Sequence, residues 1–531
     1  MGENWPLEVR GLQHTPQPHQ PSLHDDYLFR QLVPPDHELL QIDRAVDFRF
    51  VHATVAALYC PDNGRPATDP ELLLRLSVLQ RMYGLSDRGV IARAQTDLAF
   101  RAFLHLNWED ALPDHSTLGV FRGRVGGRFE QVLEGFVAQA VRRGHVTQRR
   151  LLVDSCSLQA DAAVPRLRAL LMTVIEQTLA ALPAEATWAQ QEYDVLSQDP
   201  AWDQNEATAG EQVERWFDLA GRMREALLAL DAHTRTKEQY DALGLLNSAL
   251  NRHGPKRKGK RRDGLVSATD PDARWGCKKR GKQPVAGYTE QIAVDADSGI
   301  VTEVMIEPGN VDDSQMLQPL VAGHTDKTGE KPAAVVADSK YLSGDNVAHL
   351  DSEGITDFIA APTPKGHKQG RFSASDFTIE YDEADQPVRA LCPHGELSER
   401  PKWKKDTHSW VFFFRQGQCA GCPLRDRCTR QKRGRQLSVS IHHRRLSEVR
   451  ERQETPEFAA AQVARLSVER KFARQSQQGG RRLPWRGLAK ARIFGWLWGC
   501  VLNIWQLTKL ELTGGNLDRG PTGLTPRPQC A

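Results

Sequence analysis

The stretch AAVVADSKYLSGDN, residues 333–346, decides the fold class. Small and β-branched apolar residues run straight into Asp338, and Ser343-Gly-Asp-Asn then stops the run. That is the pattern of a strand covered on both faces with a carboxylate at its C-terminal end. Working outward, QRRLLVDSCSLQAD (148–161) repeats the theme: Leu151, Leu152 and Val153 lead into Asp154, so a second strand is expected to end in an aspartate. GYTEQIAVDA (287–296) and GIVTEVMIEPG (299–309) read as a hairpin turning at Asp297-Ser-Gly. After VVAD, a short helix at 345–353 and a strand in DFIAAP (357–362) are expected. A hairpin followed by alternating strand and helix predicts a mixed α/β sheet.

The chain has 531 residues, enough for roughly three domains. Its net charge of +3 is unevenly spread. Acids gather between Glu176 and Glu214, whereas KRKGKRR (256–262), KKRGK (278–282), RQKRGR (430–435) and GGRRLPWRGLAKAR (479–492) are basic. Separate basic clusters in a nearly neutral chain point to a polyanion met by several surfaces. The N-terminus lacks the apolar core of a secretory signal. IFGWLWGCVLNIWQL (493–507), interrupted by Asn503 and Gln506, reads as a buried helix and not a membrane span. A cytoplasmic, nucleoid-associated protein is expected.

The expected organisation is a disordered tail (1–30), a helical DNA-binding domain (31–127), and a core (128–364) carrying a helical insertion (165–264). A cysteine-containing insertion (365–450), C-terminal helices (451–512) and a second tail (513–531) follow. In PDHSTLGVFRGRV, Ser116 or Thr117 is expected to cap a helix whose exposed face carries Arg122 and Arg124.

Carboxylates at neighbouring strand tips repel one another unless a cation lies between them. A divalent cation with hard oxygen ligands removes that cost and suits phosphoryl transfer. A third carboxylate is expected from a packed helix. Glu469 fits, because Arg465 lies four residues earlier on the same helical face, where both can meet one phosphate.

These segments resemble bacterial insertion-sequence transposases of the DDE type. LLLRLSVLQRMYGLSDRGVIARAQTDLAFRAFLHLN with PDHSTLGVFRGR is similar to their N-terminal helical domain. SATDPDARWGCKKRGKQPVAGYTEQIAVDADSGIVTEVMIEPGNVDDSQMLQPLV, VADSKY and the Glu469 helix with GGRRLPWRGLAKARI are similar to their catalytic domain. The resemblance implies a ribonuclease-H-like mixed sheet with flanking helices and insertions, preceded by an all-α domain. It implies two Mg²⁺ or Mn²⁺ ions on Asp154, Asp338 and Glu469. It further implies DNA cleavage and strand transfer at terminal inverted repeats, with a homodimer holding the paired ends and target DNA. Asp338 to Tyr341 matches Asp-x-x-Tyr, and Arg465 to Glu469 matches Arg-x-x-x-Glu. Gln462 and Ser476 stand where the signature has Tyr and Lys. Lys471, Arg474 or Arg481 are candidates to replace the missing phosphate contacts. A nuclease that does not join, and a decayed DNA-binding protein, are the rival readings.

DNA contacts are expected from Tyr341, Arg465, Lys471, Arg481, Arg482, Trp485, Arg486, Lys278, Lys279 and Arg280, with Trp485 either stacking on a base or packing on the last helix. Cys392, Cys419, Cys422 and Cys428 have the spacing of a four-thiolate structural zinc site, with His394 or His408 as substitute ligands; free thiols or a redox pair are the alternatives. Asp161 is expected outside the metal shell and Asp295 in a second shell or a turn. Asp270 and Asp272 are expected to position the following basic loop, and His115 to cap or pack.

Overall fold

The computed structural model describes residues 22–60, 64, 66–198, 206–253, 264–276, 283–364 and 366–514. Helices α1 (Leu23–Leu32), α2 (Glu38–Ala45), α3 (Val51–Val55), α4 (Pro70–Met82), α5 (Asp87–Thr96), α6 (Leu98–Phe103), α7 (His115–Val125) and α8 (Phe129–Arg142) come first. α1 forms where the sequence suggested a tail, because the Ser22 hydroxyl accepts the Asp25 N–H at its start. α7 is capped by Asp114, which accepts the Ser116 N–H, and not by Ser116 or Thr117. Nor is Arg122 on an exposed face: it is buried and donates to Asp87 at 2.5 Å. Arg75 and Arg101 are buried too, on Asp43 at 2.6 Å and on the Asn107 carbonyl at 2.5 Å. Several arginines of these helices therefore hold the domain together.

β1 (Arg150–Gln159) opens the sheet and leads into a four-helix insertion, α9 (Leu167–Leu179), α10 (Thr187–Ser197), α11 (Glu206–Leu228) and α12 (Lys237–His253). The insertion has its own core around Trp216, Met223 and Leu246. Then come β2 (Arg274–Gly276), β3 (Val285–Asp295), β4 (Val301–Pro308), α13 (Leu317–Thr328), β5 (Ala334–Ala337), α14 (Gly344–Ser352) and β6 (Thr356–Ile359). The strand order is β2-β3-β1-β5-β6, with β4 also on β3. β3 runs antiparallel to β1, β2 and β4, while β1, β5 and β6 are parallel. The expected hairpin and mixed sheet are both present.

The cysteine-containing segment folds as two small antiparallel sheets. One holds β7 (Thr378–Tyr381), β8 (Pro387–Leu391) and β9 (Leu397–Glu399); the other holds β10 (Lys402–Lys404), β11 (Ser409–Phe413) and β12 (Gln436–Ser440). Short helices α15 (Gln416–Ala420) and α16 (Arg425–Cys428) lie between β11 and β12. α17 (His443–Arg452), α18 (Pro456–Gln477) and α19 (Leu488–Leu512) complete the fold.

Strand alternation divides the main sheet into two faces. Leu151, Val153, Val335 and Ala337 pack with Leu317, Leu320 and Leu350 of α13 and α14. Leu152, Leu158, Ile292 and Val336 join Val468, Phe472, Phe494 and Trp498 of α18 and α19 in a core that continues into the N-terminal helices. α19 is the buried helix the sequence predicts, and its polar interruptions serve the sheet. The Asn503 amide pairs with the Val301 N–H and carbonyl, both at 2.7 Å, and Gln506 donates to the Ser298 carbonyl at 2.6 Å. Gly495 and Gly499 let the helix approach β4 closely, since a Cβ there would come within 2.8 Å of Ile306 and 2.9 Å of Val304. Among the described residues, no helix is long and apolar enough to cross a membrane.

Lys327 ties α13 to β4 and α8: it donates to the buried Glu303 carboxylate and to Glu130 at 3.1 Å. Lys327→Met would leave Glu303 buried and unpaired, an expected loss of roughly 3–5 kcal/mol. A lower urea midpoint would check this, with partial recovery when Glu303→Gln is added.

Candidate active site

β1 and β5 place the two aspartates together. Their parallel register pairs Leu151 with Val335 and Leu152 with Val336. Two residues further on each strand stand Asp154 and Asp338, on the same face as Leu152 and Val336. β5 has ended by then, so the β5 side of Asp154 is open. Asp338 is thus at a strand end, as the sequence implies, but Asp154 is not. β3 pairs with β1 as far as Gln159, so Asp154 lies in mid-strand opposite Ile292.

α18 crosses this opening. Thr455 caps it by accepting the Phe458 N–H, and Pro456 occupies its first turn. Arg465 donates to the Asp154 Oδ2 at 3.0 Å and lies 3.3 Å from the Glu469 Oε1. One guanidinium therefore bridges a mostly buried carboxylate and one that is half exposed. Gln462 supports it: its amide donates to the carbonyls of Ala337, at 3.2 Å, and Phe358, at 2.7 Å. These carbonyls lie at or beside the ends of β5 and β6, so Gln462 pins α18 above the strand ends. The departure from Tyr at this position thus has a structural use.

On the opposite face, Asp313 accepts from Ser155 at 3.0 Å, Lys340 at 3.0 Å and Gln291 at 2.7 Å. Gln291 in turn accepts from the Tyr341 hydroxyl. Tyr341 is fully buried, so it braces the site from beneath and cannot touch DNA as expected. Burial, reinforced by the charges of Asp313, Asp154 and Asp338, holds its hydroxyl neutral, with a pKa well above the usual value. Asp313 and Gln291 were not among the sequence candidates. The Asp-Asp pair in GNVDDSQ is the local signal for Asp313; Gln291 has none.

The remaining candidates separate. Lys471 and Arg474 point away from Glu469, about 140–200° around the helix at 100° per residue. Arg474 lies 3.4 Å from the Trp505 ring centroid and pairs with Glu38 at 3.4 Å. Burial, with Lys509 and Arg474 nearby, lowers Lys471 to about 8. Neither replaces the missing Lys on the Glu469 face; Ser476 itself lies there. The Arg481 carbonyl accepts the Gln159 N–H at 2.8 Å, and Leu483 donates to the Gln159 carbonyl at 2.9 Å, so this loop extends the end of β1. Arg482 is exposed. Arg486 donates to the Asp161 carbonyl at 2.7 Å. Trp485 does not offer a free face for stacking: Arg81 and Arg122 lie 5.1 and 4.6 Å from its ring centroid, and Phe494 packs edge-on. Lys278, Lys279 and Arg280 lie outside the described residues, as does KRKGKRR.

Asp295 is a turn residue, accepting from the Ser298 N–H at 2.8 Å and hydroxyl at 2.6 Å. Asp270 accepts from Tyr288 at 2.5 Å, and Asp272 accepts the Leu488 N–H at 2.9 Å at the start of α19. Both therefore anchor the framework. His115 sits in the first turn of α7, 3.3 Å from Asp114.

Cys392, Cys419 and Cys428 pack on one small core with Phe377, Phe412 and Phe414. The Cys392 Sγ accepts the Glu396 N–H at 3.3 Å. Burial raises the Cys428 thiol, with Cys419, Cys392 and Cys422 adding to the effect and Arg435 opposing it. Among the described residues, no three His, Cys, Asp or Glu side chains converge closely enough to hold a metal ion.

Two segments match known families. Residues 27–124 match a transposase domain (DUF772), and residues 391–508 match a transposase DDE domain. No curated protein and no solved structure matches the chain.

Proposed function

We propose that the chain is an insertion-sequence transposase of the DDE type, as its two family matches support, and that Asp154, Asp338 and Glu469 are its catalytic carboxylates. The observation that carries this reading is the Arg465 bridge from Asp154 to Glu469, above a register that sets Asp338 beside Asp154. A ribonuclease-H-like core is supported by the central β1, with the β3–β4 hairpin on one side and the parallel β5 and β6 on the other. The proposed donor set consists only of carboxylate oxygens, the ligand chemistry of Mg²⁺ or Mn²⁺; the three do not converge in this structure, so binding would have to draw them together as Arg465 leaves Asp154. Bound there, such ions would supply an activated attacking oxygen and neutralise charge on the leaving one.

The chain's own residues supply the remainder. Arg465 holds a phosphate oxygen once it is released from Asp154, Gln462 keeps α18 aligned, and buried Tyr341 and Gln291 fix the base of the site. Exposed Arg482, with the basic clusters, holds the DNA backbone, and the N-terminal helices read the terminal repeats. A homodimer holds two ends beside the target, and the protein works on the nucleoid in the cytoplasm. Phosphate contacts of this kind make binding fall steeply with salt, with a log–log slope of about −0.9 per phosphate neutralised.

DNA flanking the protein's own coding sequence provides the test. Given such an end with a free 3′-hydroxyl and a target duplex, the protein is expected to join them covalently. Cleavage without joining would make it a nuclease. Binding without cleavage in either Mg²⁺ or Mn²⁺ would make it a decayed copy.

We propose the four cysteines as ligands of one structural zinc, on their spacing and because three share a core; as no three of them converge closely enough in this structure, binding would have to draw them together. Elemental analysis should find one zinc per chain, lost in Cys419→Ser. Four rapidly reacting thiols and no zinc would contradict the assignment.

A further inference from the structure

We propose that Lys340 is a further substrate-holding cation of the site, gripping a backbone phosphate of the DNA strand from the side of the sheet opposite Arg465. The inference rests on the reading of the chain as a DNA transposase. It adds a residue that the Asp-x-x-Tyr match leaves unspecified, since that match fixes only Asp338 and Tyr341.

The charges around the opening beside β1 create the need for such a cation. Asp154, Asp313, Asp338 and Glu469 surround it, and each repels a phosphate. Arg465 divides its charge between Asp154 and Glu469. Further along α18, Ser476 stands where the signature has Lys. Lys471 and Arg474 turn the other way, and Arg474 is committed to Trp505 and Glu38. α18 therefore leaves the Asp313 side of the opening to be served from another element.

Lys340 is built into that side. Its N–H donates to the Asp338 Oδ1 at 2.9 Å, which fixes its backbone to one aspartate. Its ammonium donates to the Asp313 Oδ2 at 3.0 Å, the same oxygen that accepts the Ser155 hydroxyl at 3.0 Å. Ser155 follows Asp154 in the chain, so the ammonium is held near the second aspartate as well. Asp313 has other donors besides Lys340: Gln291 on Oδ1 at 2.7 Å and Ser155 on Oδ2. An ammonium has three N–H donors, of which Asp313 takes one. The Lys340 side chain is 34% exposed, against 7% for Asp313 and 17% for Arg465. A buried acid thus anchors a cation whose other donors can meet a phosphate without breaking the ion pair. Lysine suits this double duty, because its donors rotate around a compact point charge.

Lys340→Gln keeps a donor for Asp313 and removes the charge. Binding of the full chain to duplex DNA flanking its own coding sequence, titrated in EDTA over a salt series, reads the contact. The variant is expected to bind roughly tenfold more weakly at low salt, with a log–log salt slope shallower by about 0.9, the value for one phosphate. Lys340→Arg should keep the wild-type slope. An ion pair that only supports the fold would lower the urea midpoint of Lys340→Gln and leave the slope unchanged; that result overturns the proposal, as does a wild type that does not bind the DNA. Lysine acetylation of the wild-type chain, read by mass spectrometry, decides the matter should the variant not fold: DNA is expected to protect Lys340, and equal labelling with and without DNA overturns the contact. The two readings fail separately. DNA that protects Lys340 but is never cleaved removes only the catalytic assignment, and cleavage by a chain whose salt slope ignores Lys340→Gln removes only this contact.

Discussion

Asp338→Ala is expected to slow cleavage of element-end DNA by roughly three to four orders of magnitude, the scale of losing one member of a catalytic constellation. Fold and DNA affinity should be little changed. The strand leading to it, Ala334–Ala337, is buried without it, and Asp338 itself is only partly buried. Its carboxylate accepts the Lys340 N–H at 2.9 Å, a bond that water can replace. Single-turnover cleavage, beside a gel-shift titration without divalent cations, separates the two effects. If affinity or unfolding temperature collapses together with cleavage, Asp338 is structural and the assignment fails.

Arg465→Met has a different signature. The Arg465 guanidinium is the charge partner of Asp154, and the two side chains are 17% and 12% exposed. Removing it deprives a largely buried carboxylate of this ion pair, leaving the Ser155 N–H on its Oδ1, which after discounting for that exposure costs about 1–3 kcal/mol. Cleavage should fall at least a hundredfold, by order of magnitude, because a phosphate-holding cation is lost as well. A cation that binds Asp154 should now stabilise the variant more than wild type, where Arg465 competes for the same oxygens. Thermal unfolding over a Mn²⁺ series is the measurement: a larger rise for Arg465→Met is expected. Equal shifts would mean that Asp154 and the metal do not meet.

Local patterns made much of the fold legible. The apolar run before Asp338, the turn at Asp297-Ser-Gly and the spacing of 455–510 depend on near neighbours, and β5, the β3–β4 hairpin, α18 and α19 form where those patterns lie. Contacts set by distant partners were not legible. LLVD reads as a strand with an acid at its tip, yet β3 carries β1 five residues past Asp154, and only the shorter β5 leaves that acid open. Tyr341 resembles a site residue in sequence but is buried in the core with Leu317, Leu320 and Leu350 and bonded to Gln291, fifty positions away. Arg122 has the sequence of an exposed helix face and is withdrawn by Asp87. Gln462 reads as a lost Tyr; its hydrogen bonds to Ala337 and Phe358 become visible only once α18 lies across the strand ends.

The central claim, that Asp154, Asp338 and Glu469 share one divalent-cation site, is tested most directly by a crystal structure of the protein soaked in Mn²⁺, read by anomalous scattering. The account predicts manganese about 2.1 Å from oxygens of Asp154 and Asp338, with Glu469 completing the site and Arg465 displaced from Asp154. Manganese bound elsewhere, or bound between the aspartates with Glu469 turned away, would contradict it.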